Sequence, residues 1–326
     1  MTVVGLKPGL ENGYVCHPLH NQNQPWAETN CYIDVWIEVL NALGLDPLAC
    51  LAMVLAIDFD GDQWTFLKPS HDDIYTLYGV DVQELHIWQS LLANSSEQLR
   101  RGRLVLAEVD AFYLPDTAGT DYRRKHTKTT IAIQEINIVE QRLGYFHNGG
   151  YHTLSADDFV KTFRLDSPGD SEHMPFFAEL VRCDRLVHRT PAELAELSLT
   201  TLRKHLTRVP VVNPFIAFRT NFTSELLRIR SEGTDSYHPY AFATIRQFGA
   251  AFDLAASYVT WLRQHHIACP EGTEGHFTKI SEVAKILLLK GARASASSRP
   301  VDFEANLNDL EKSWDEGMAL IRGNFT

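Results

Sequence analysis

The sequence predicts an α+β domain over residues 1–170, followed by a mainly α-helical domain over residues 171–326. Two patterns in the first half support this fold class: a helical apolar repeat after Cys31, and β-rich alternating runs between residues 103 and 148. In the second half almost every segment has helical spacing. The turn-rich stretch 166–170 therefore marks the predicted boundary between the two domains.

The first helix is predicted over residues 32–43. Its apolar positions recur at the spacing of one buried helix face: Ile33, Trp36, Ile37 and Leu40. Asn30 has the side chain of a helix N-cap, and Gly44 is a natural stop. Cys31 therefore stands at the first turn, where the positive end of the helix dipole favours a thiolate, the form that attacks carbonyl carbons. A small buried residue that only packs is the alternative interpretation of Cys31.

A histidine and an asparagine flank two predicted strands further along the chain. The β-rich run 103–109 is followed by a polar loop, a strand over 129–138 and a strand over 143–148. Gly149 and Gly150 then predict a turn. His126 enters the first of these two strands and Asn148 leaves the second, so pairing of the strands as a hairpin can bring the two side chains together.

These residue types in this order predict a cysteine-based catalytic triad. Cys31 would attack a carbonyl carbon, His126 would take the thiol proton, and Asn148 would fix the tautomer of the imidazole. Asp110 and Asp116 are the alternatives to Asn148 as the residue that orients His126.

The same segments carry a resemblance to known families. The stretches NCYIDVWIEVLNALG, VDAFYLPDTAGTDYRRKHTKTTIAI and GYFHNGGYHTL, with YHPYAFATIRQFGAAFDLAASYVTWL later, resemble an uncharacterised bacterial family, the domain of unknown function 1839. The order Cys31, His126, Asn148 also resembles the N-terminal domain of the butirosin biosynthesis protein H group. That second resemblance covers about the first half of the chain and implies a papain-like fold. It also implies transfer of an (amino)acyl group from a carrier-protein thioester to an amine.

One position departs from the papain pattern. Papain-like enzymes usually have a glutamine about six residues before the cysteine, where it donates to the oxyanion, and here that position is Pro25. Gln24, Asn30 or backbone N–H groups alone would have to form the oxyanion hole. Losing one oxyanion donor typically costs about two to three orders of magnitude in rate.

Composition narrows the function classes. The 326 residues contain 44% hydrophobic side chains and allow two domains with sizeable cores. A net charge of −11 argues against general nucleic-acid binding. No apolar run is long enough for a membrane span, and the first ten residues do not have the pattern of a signal peptide. Five scattered cysteines fit a reducing compartment, so we expect a cytoplasmic protein.

The second half predicts a helical bundle. Thr190 and Pro191 are the start signals of one helix, and Pro214 opens another. The remaining predicted helices cover residues 239–266, 277–293 and 302–321.

Histidine and cysteine clusters do not predict a metal site. Cys16, His17, His20 and Cys31 match no standard zinc-ligand spacing. We therefore expect no metal and no resident cofactor; a phosphopantetheine arm would arrive with the carrier protein that the resemblance implies.

A basic cluster surrounds His126, formed by Arg123, Arg124, Lys125 and Lys128. On an acidic chain such a patch can dock an acidic carrier protein, although a solvated face is the simpler interpretation. The sequence thus leaves three function classes: an acyltransferase with a carrier protein and a small amine as partners, a cysteine peptidase or amidase, and a papain-like binding module without chemistry.

Overall fold

The computed structural model describes residues 2–21, 24–167, 174–232, 234–296 and 301–325. Its strands are β1 (Thr2–Val4), β2 (Phe59–Asp60), β3 (Gln63–Trp64), β4 (Asp81–Glu84), β5 (Leu104–Asp110), β6 (Lys128–Asn137), β7 (Arg142–His147), β8 (Gly150–Ser155) and β9 (Ala178–Arg182). Its α-helices are α1 (Cys31–Ala42), α2 (His71–Tyr78), α3 (Leu91–Arg100), α4 (Asp157–Thr162), α5 (Pro191–Leu206), α6 (Pro214–Glu232), α7 (Thr234–Ala243), α8 (Ile245–Gln264), α9 (Thr273–Ala296) and α10 (Glu304–Phe325).

The chain divides into two compact units. The first contains Met1–Pro47 and Ser70–His188, and the second contains Leu48–Pro69 and Arg189–Thr326. The structure therefore differs from the predicted boundary at residue 170. Strand β9 follows that boundary, yet it pairs with β4 and β5 and so belongs to the first unit. Residues 168–170 of the predicted boundary lie outside the described residues.

The first unit is built on an antiparallel sheet. Seven strands pair in the order β4-β9-β5-β6-β7-β8, with β1 added to the far end of β6. One face of this sheet covers an apolar core that includes Val105, Ala107 and Val109 of β5 and Ile131 and Ile133 of β6. Because side chains alternate along a strand, the residues between these positions lie on the opposite face. An α+β class with an antiparallel sheet is confirmed for this half of the chain.

Helix α1 packs on β6 and β7 and is buried along most of its length. The predicted apolar face is buried, and Gly44 follows the helix with a positive φ of 69°, as a stop residue does. The other side of the helix is buried too. Asp34 and Glu38 are both fully inaccessible, so each needs polar partners inside the unit.

The second unit is helical, as predicted. Helix α8 packs on α9 and α9 on α10. The start of α5 has the full capping box, with Thr190 and Glu193 exchanging hydrogen bonds. Segment 48–69 joins this unit through aromatic contacts: the Phe59 ring packs edge-on against Phe218, at 5.6 Å between centroids. None of the helices in the described ranges combines the length and apolar character needed to cross a bilayer.

The predicted helix over 239–266 is two helices, α7 and α8. The chain leaves helical geometry at Thr244, whose φ and ψ are −117° and −71°. The Thr244 hydroxyl donates to the carbonyl oxygen of Tyr240 at 2.7 Å, a back-bond that bends helices. Pro239 lies inside α7 and does not start a helix.

Candidate active site

Cys31 is the first residue of α1. The Asn30 side-chain oxygen accepts from the N–H groups of Tyr32 and Ile33, at 3.0 and 3.1 Å. The N–H of Cys31 has no hydrogen-bond partner among the described residues. A partly exposed thiol therefore stands beside an uncommitted N–H at the positive end of a helix, the kind of place where an oxyanion can be received.

Strand β6 supplies the nearest polar neighbour of this thiol. The Cys31 thiol donates to the Thr130 hydroxyl at 3.8 Å. Thr130 pairs with Glu108 across the β5–β6 ladder, and Asp110 pairs with Lys128 two residues further along. By strand alternation Glu108 and Asp110 lie on the same face as Thr130. The start of α1 thus meets polar side chains at the end of β5 and the beginning of β6, two interior strands of the sheet.

His126 lies in the loop immediately before β6, not within the strand. Its Nδ1 is 2.5 Å from an Asp110 carboxylate oxygen, and its ring stacks on Phe112 at 4.3 Å between centroids. The His126 side chain is 66% exposed. No hydrogen bond joins it to Cys31 in the described part of the chain, so the predicted direct contact between thiol and imidazole is absent.

Asn148 does not orient His126, and this prediction is corrected. Asp110, the alternative, makes that hydrogen bond. Asn148 and Gly149 form the two-residue turn between β7 and β8, where His147 pairs with Gly150. The φ of Asn148 is 46°, a left-handed value that asparagine tolerates better than most residues. The predicted hairpin formed from β6 and β7, but the loop before β6 turns toward the end of β5, where Asp110 lies.

A second histidine–aspartate pair occupies the core face of the sheet. His147 Nδ1 is 2.5 Å from Asp116, its Nε2 is 2.7 Å from the Thr129 hydroxyl, and Tyr145 donates to the same carboxylate. Burial opposes ionisation of Asp116, but the hydrogen bond and charge of His147 outweigh it and hold the pKa of Asp116 below its ordinary value. Asp116, the other candidate for orienting His126, is therefore committed to His147.

Half of the basic cluster around His126 is neutralised by carboxylates. The Arg123 guanidinium contacts Asp158 at 2.5 Å and Asp157 at 3.0 Å. Lys128 forms an ion pair with Glu108 at 2.8 Å. Arg124 donates to the carbonyl oxygen of Gly119, and Lys125 is exposed. Among the described residues, only Arg124 and Lys125 of the four predicted docking residues lack a carboxylate partner.

The two predicted oxyanion side chains are used elsewhere. Gln24 donates from Nε2 to the carbonyl oxygen of Pro18 at 3.4 Å, in an exposed loop. The side-chain oxygen of Asn30 caps α1. Of the oxyanion groups that the sequence suggested, the backbone N–H of Cys31 is the one that stands next to the thiol.

The sequence analysis did not predict a buried ionic cluster that His20 forms with two carboxylates of α1. His20 contacts both carboxylates of α1: Glu38 through Nδ1, and Asp34 through Nε2 at 3.4 Å. Burial alone would lower the pKa of His20, but these two carboxylates raise it to about 9. Asp34 also accepts from the N–H of Thr29 at 2.8 Å. The cluster therefore holds the chain just before Cys31.

The sequence did contain a signal for this cluster. Asp34 and Glu38 are four residues apart on a helix whose other positions are mostly apolar, so they share one face. No group of three or more His, Cys, Asp or Glu side chains among the described residues could hold a metal ion.

Comparison with known families also divides the chain into two parts, although segment 48–69, part of the second compact unit, falls within the N-terminal family domain. The model of the DUF1839 N-terminal domain matches residues 15–183, and that of the DUF1839 C-terminal domain matches residues 191–323. The chain belongs to the DUF1839 family. The two family domains meet between residues 183 and 191, which includes the last of the three points where the chain passes between the compact units. A search of the curated proteins gives no match. Family membership is thus confirmed, and the relation to the butirosin group stays a prediction.

Proposed function

We propose that this chain is a cysteine-dependent acyltransferase with a papain-like first unit. The position of Cys31 carries the proposal: it begins a buried helix, has an uncommitted N–H, and lies against the strand that follows His126. In this proposal Cys31 takes an (amino)acyl group from a carrier-protein thioester and passes it to a small amine.

His126 and Asp110 form the proposed base. Asp110 accepts from Nδ1 of His126, which leaves Nε2 as the nitrogen that takes the thiol proton. Because His126 is exposed and lies in a loop, approach to Cys31 requires the loop to close when the donor binds. Catalytic hydrogen bonds are often long or unmade before substrate arrives, so the open arrangement is compatible with this role.

The chemistry balances without a cofactor. The Cys31 thiolate forms a C–S bond to the thioester carbonyl carbon, the oxyanion is received by the Cys31 N–H, and the phosphopantetheine thiol leaves with a proton. The amine then attacks the new thioester and releases Cys31. Arg124 and Lys125 are the residues on which an acidic carrier protein would dock, because their charges are not paired with carboxylates in the described residues.

A binding module without chemistry is the second candidate. One observation favours it: the Cys31 sulfur makes its hydrogen bond with a threonine hydroxyl and not with an imidazole. A peptidase or amidase would use the same residues with water as the acceptor.

Intact-protein mass spectrometry separates these candidates. The protein is incubated with aminoacylated carrier proteins and with small acyl thioesters, with Cys31→Ala as the test variant and Cys16→Ser, which removes another accessible thiol, as the control. We expect an acyl adduct that the control retains and Cys31→Ala loses, and whose decay requires an added amine. Decay in water alone would indicate a hydrolase. Complete absence of the adduct would favour the binding module.

A further inference from the structure

The Thr130 hydroxyl is the polar group that contacts the Cys31 sulfur. Its oxygen accepts the thiol hydrogen at 3.8 Å, and it is the one hydrogen-bond partner that this thiol has among the described residues. Thr130 is 4% exposed, whereas Cys31 is partly exposed. The hydroxyl therefore supports the sulfur from the sheet, and the thiol stays accessible to an incoming molecule.

The sheet fixes the position of this hydroxyl oxygen. Strand β6 is an interior strand between β5 and β7, and Thr130 pairs with Glu108 across the β5–β6 ladder. The branched Cβ of a threonine restricts χ1, so the oxygen has few positions to occupy. The hydrogen still rotates about the C–O bond. Because α1 packs on β6, the oxygen is held against the helix start while its hydrogen can change direction.

The hydrogen of this hydroxyl is uncommitted. A hydroxyl has one hydrogen to donate and two lone pairs to accept with, and Thr130 uses a lone pair for the Cys31 thiol. No group in the described part of the chain accepts from Thr130. The carboxylate directly opposite, Glu108, has its Oε1 at 2.8 Å from Lys128 Nζ and makes no hydrogen bond with Thr130 in that part. The hydrogen is therefore available to the sulfur.

We infer that Thr130 is a catalytic residue that stabilises the Cys31 thiolate by reversing their hydrogen bond. In the thiol form the sulfur donates and the hydroxyl oxygen accepts. When the thiol proton leaves for a base or for solvent, the electron pair stays on sulfur and the hydroxyl turns to donate to it. A hydrogen bond to the charged form of a group favours that form. The inference rests on the proposed function for the use of the thiolate, which attacks the carbonyl carbon of the donor.

Other charged groups near the helix start act on the same equilibrium, so the test compares proteins in which those groups are unchanged. They are the cluster that His20 forms with α1, Glu108 and Asp110 of β5, Lys128 of β6, His126 of the preceding loop and Glu179 of β9. Replacement of Thr130 by valine exchanges its hydroxyl for a methyl group and leaves all of them in place. A difference between the two proteins then reports on the hydroxyl.

Alkylation by iodoacetamide measures the thiolate without a carrier protein. The rate at Cys31 is followed against pH, site by site, by mass spectrometry in wild type, Thr130→Val and Thr130→Ser. The matched control is Thr153→Val, the same change at an exposed position of β8. Cys16, an exposed thiol of the same unit, is the internal reference in every sample.

We expect Thr130→Val to move the midpoint of the pH–rate profile at Cys31 upward by roughly 1–2 pH units, the size that a hydrogen bond to a charged group gives. At neutral pH the rate should fall about 10-fold or more. Thr130→Ser keeps the hydroxyl and should stay close to wild type, and neither Thr153→Val nor the Cys16 profile should show a shift. Thr130→Ala removes the same hydroxyl, should give the same upward shift, and provides the test if the valine variant does not fold.

The outcomes separate this inference from the proposed function. A wild-type midpoint in Thr130→Val or Thr130→Ala overturns the inference. An equal shift in Thr130→Ser overturns it too, because packing and not the hydroxyl would then set the midpoint. Loading of Cys31 by a small acyl thioester should slow in the same proportion as alkylation. If alkylation follows the expected pattern but wild type is never acylated, the proposed function fails and Thr130 remains the group that stabilises the thiolate.

Discussion

The two faces of the sheet carry histidine–aspartate pairs that have the same hydrogen-bond distance but different exposure to solvent. His126–Asp110 and His147–Asp116 each join at 2.5 Å. The side chain of His126 is 66% exposed and that of His147 only 2%. A pair in water is weakly held and free to move, whereas a buried pair is costly to break because the partner left behind stays unsolvated. The contrast teaches that a short bond does not identify a catalytic pair; access and freedom to move do.

The largest loss of stability should come from a substitution in the buried pair, His147–Asp116. Asp116→Ala leaves His147 and Tyr145 without their shared acceptor, so we expect a loss of about 3–5 kcal/mol in the free energy of unfolding. Asp110→Ala, the matched change on the exposed pair, should cost no more than about 1 kcal/mol. Urea denaturation measures both. Equal losses would remove the distinction between the two faces.

The exposed pair should matter to chemistry instead. His126→Ala should slow acylation of Cys31 roughly 10²- to 10³-fold, because a general base is lost, with little change in stability. Asp110→Asn should act in the same direction and more weakly, through the orientation of the ring. Loading followed by mass spectrometry gives the rates. If His126→Ala loads at the wild-type rate, His126 is a surface residue and Cys31 has another base.

The His20 cluster should make stability depend on alkaline pH. The pKa of His20 is raised to about 9 in the folded state, so its contribution is complete below the unfolded value near 6.5 and is lost as pH rises through about 9. We expect the free energy of unfolding to fall by roughly 3 kcal/mol across that window. The pKa of His17 is lowered by burial, so His17 affects stability at a pH below this range and does not contribute to the slope within it. His20→Gln should flatten the profile measured by urea denaturation; an unchanged slope would assign it to other groups.

The smallest change in stability is predicted for substitutions at Asn148, in the turn between β7 and β8. Asn148→Ala puts an alanine at a φ of 46° and should cost about 1–2 kcal/mol, whereas Asn148→Gly should be tolerated. Both variants should acylate Cys31 at the wild-type rate when folded. A loading defect in a stable Asn148→Gly protein would return Asn148 to the catalytic group.

Local sequence patterns were enough to predict several structural elements. The buried face of α1, its Asn30 cap and the Thr190 capping box depend on residues within one or two turns, so the sequence alone specifies them. The β6–β7 hairpin is local in the same sense. The bend at Thr244 was missed because a threonine back-bond competes with helix continuation in a segment whose apolar spacing remains helical.

Cys31 at a helix start, the hairpin and the helical second half were therefore determined by the sequence. The tertiary structure decided which partner each polar side chain meets: Asp110 and not Asn148 for His126, Asp116 for His147, and Glu179, far along the chain, for His71. It also assigned β9 to the first unit and segment 48–69 to the second. Apolar spacing and helix caps are short-range signals, so the sequence alone predicts them. A buried charge is satisfied by whichever group the strand pairing brings near it. Strand register between distant segments cannot be predicted from local spacing.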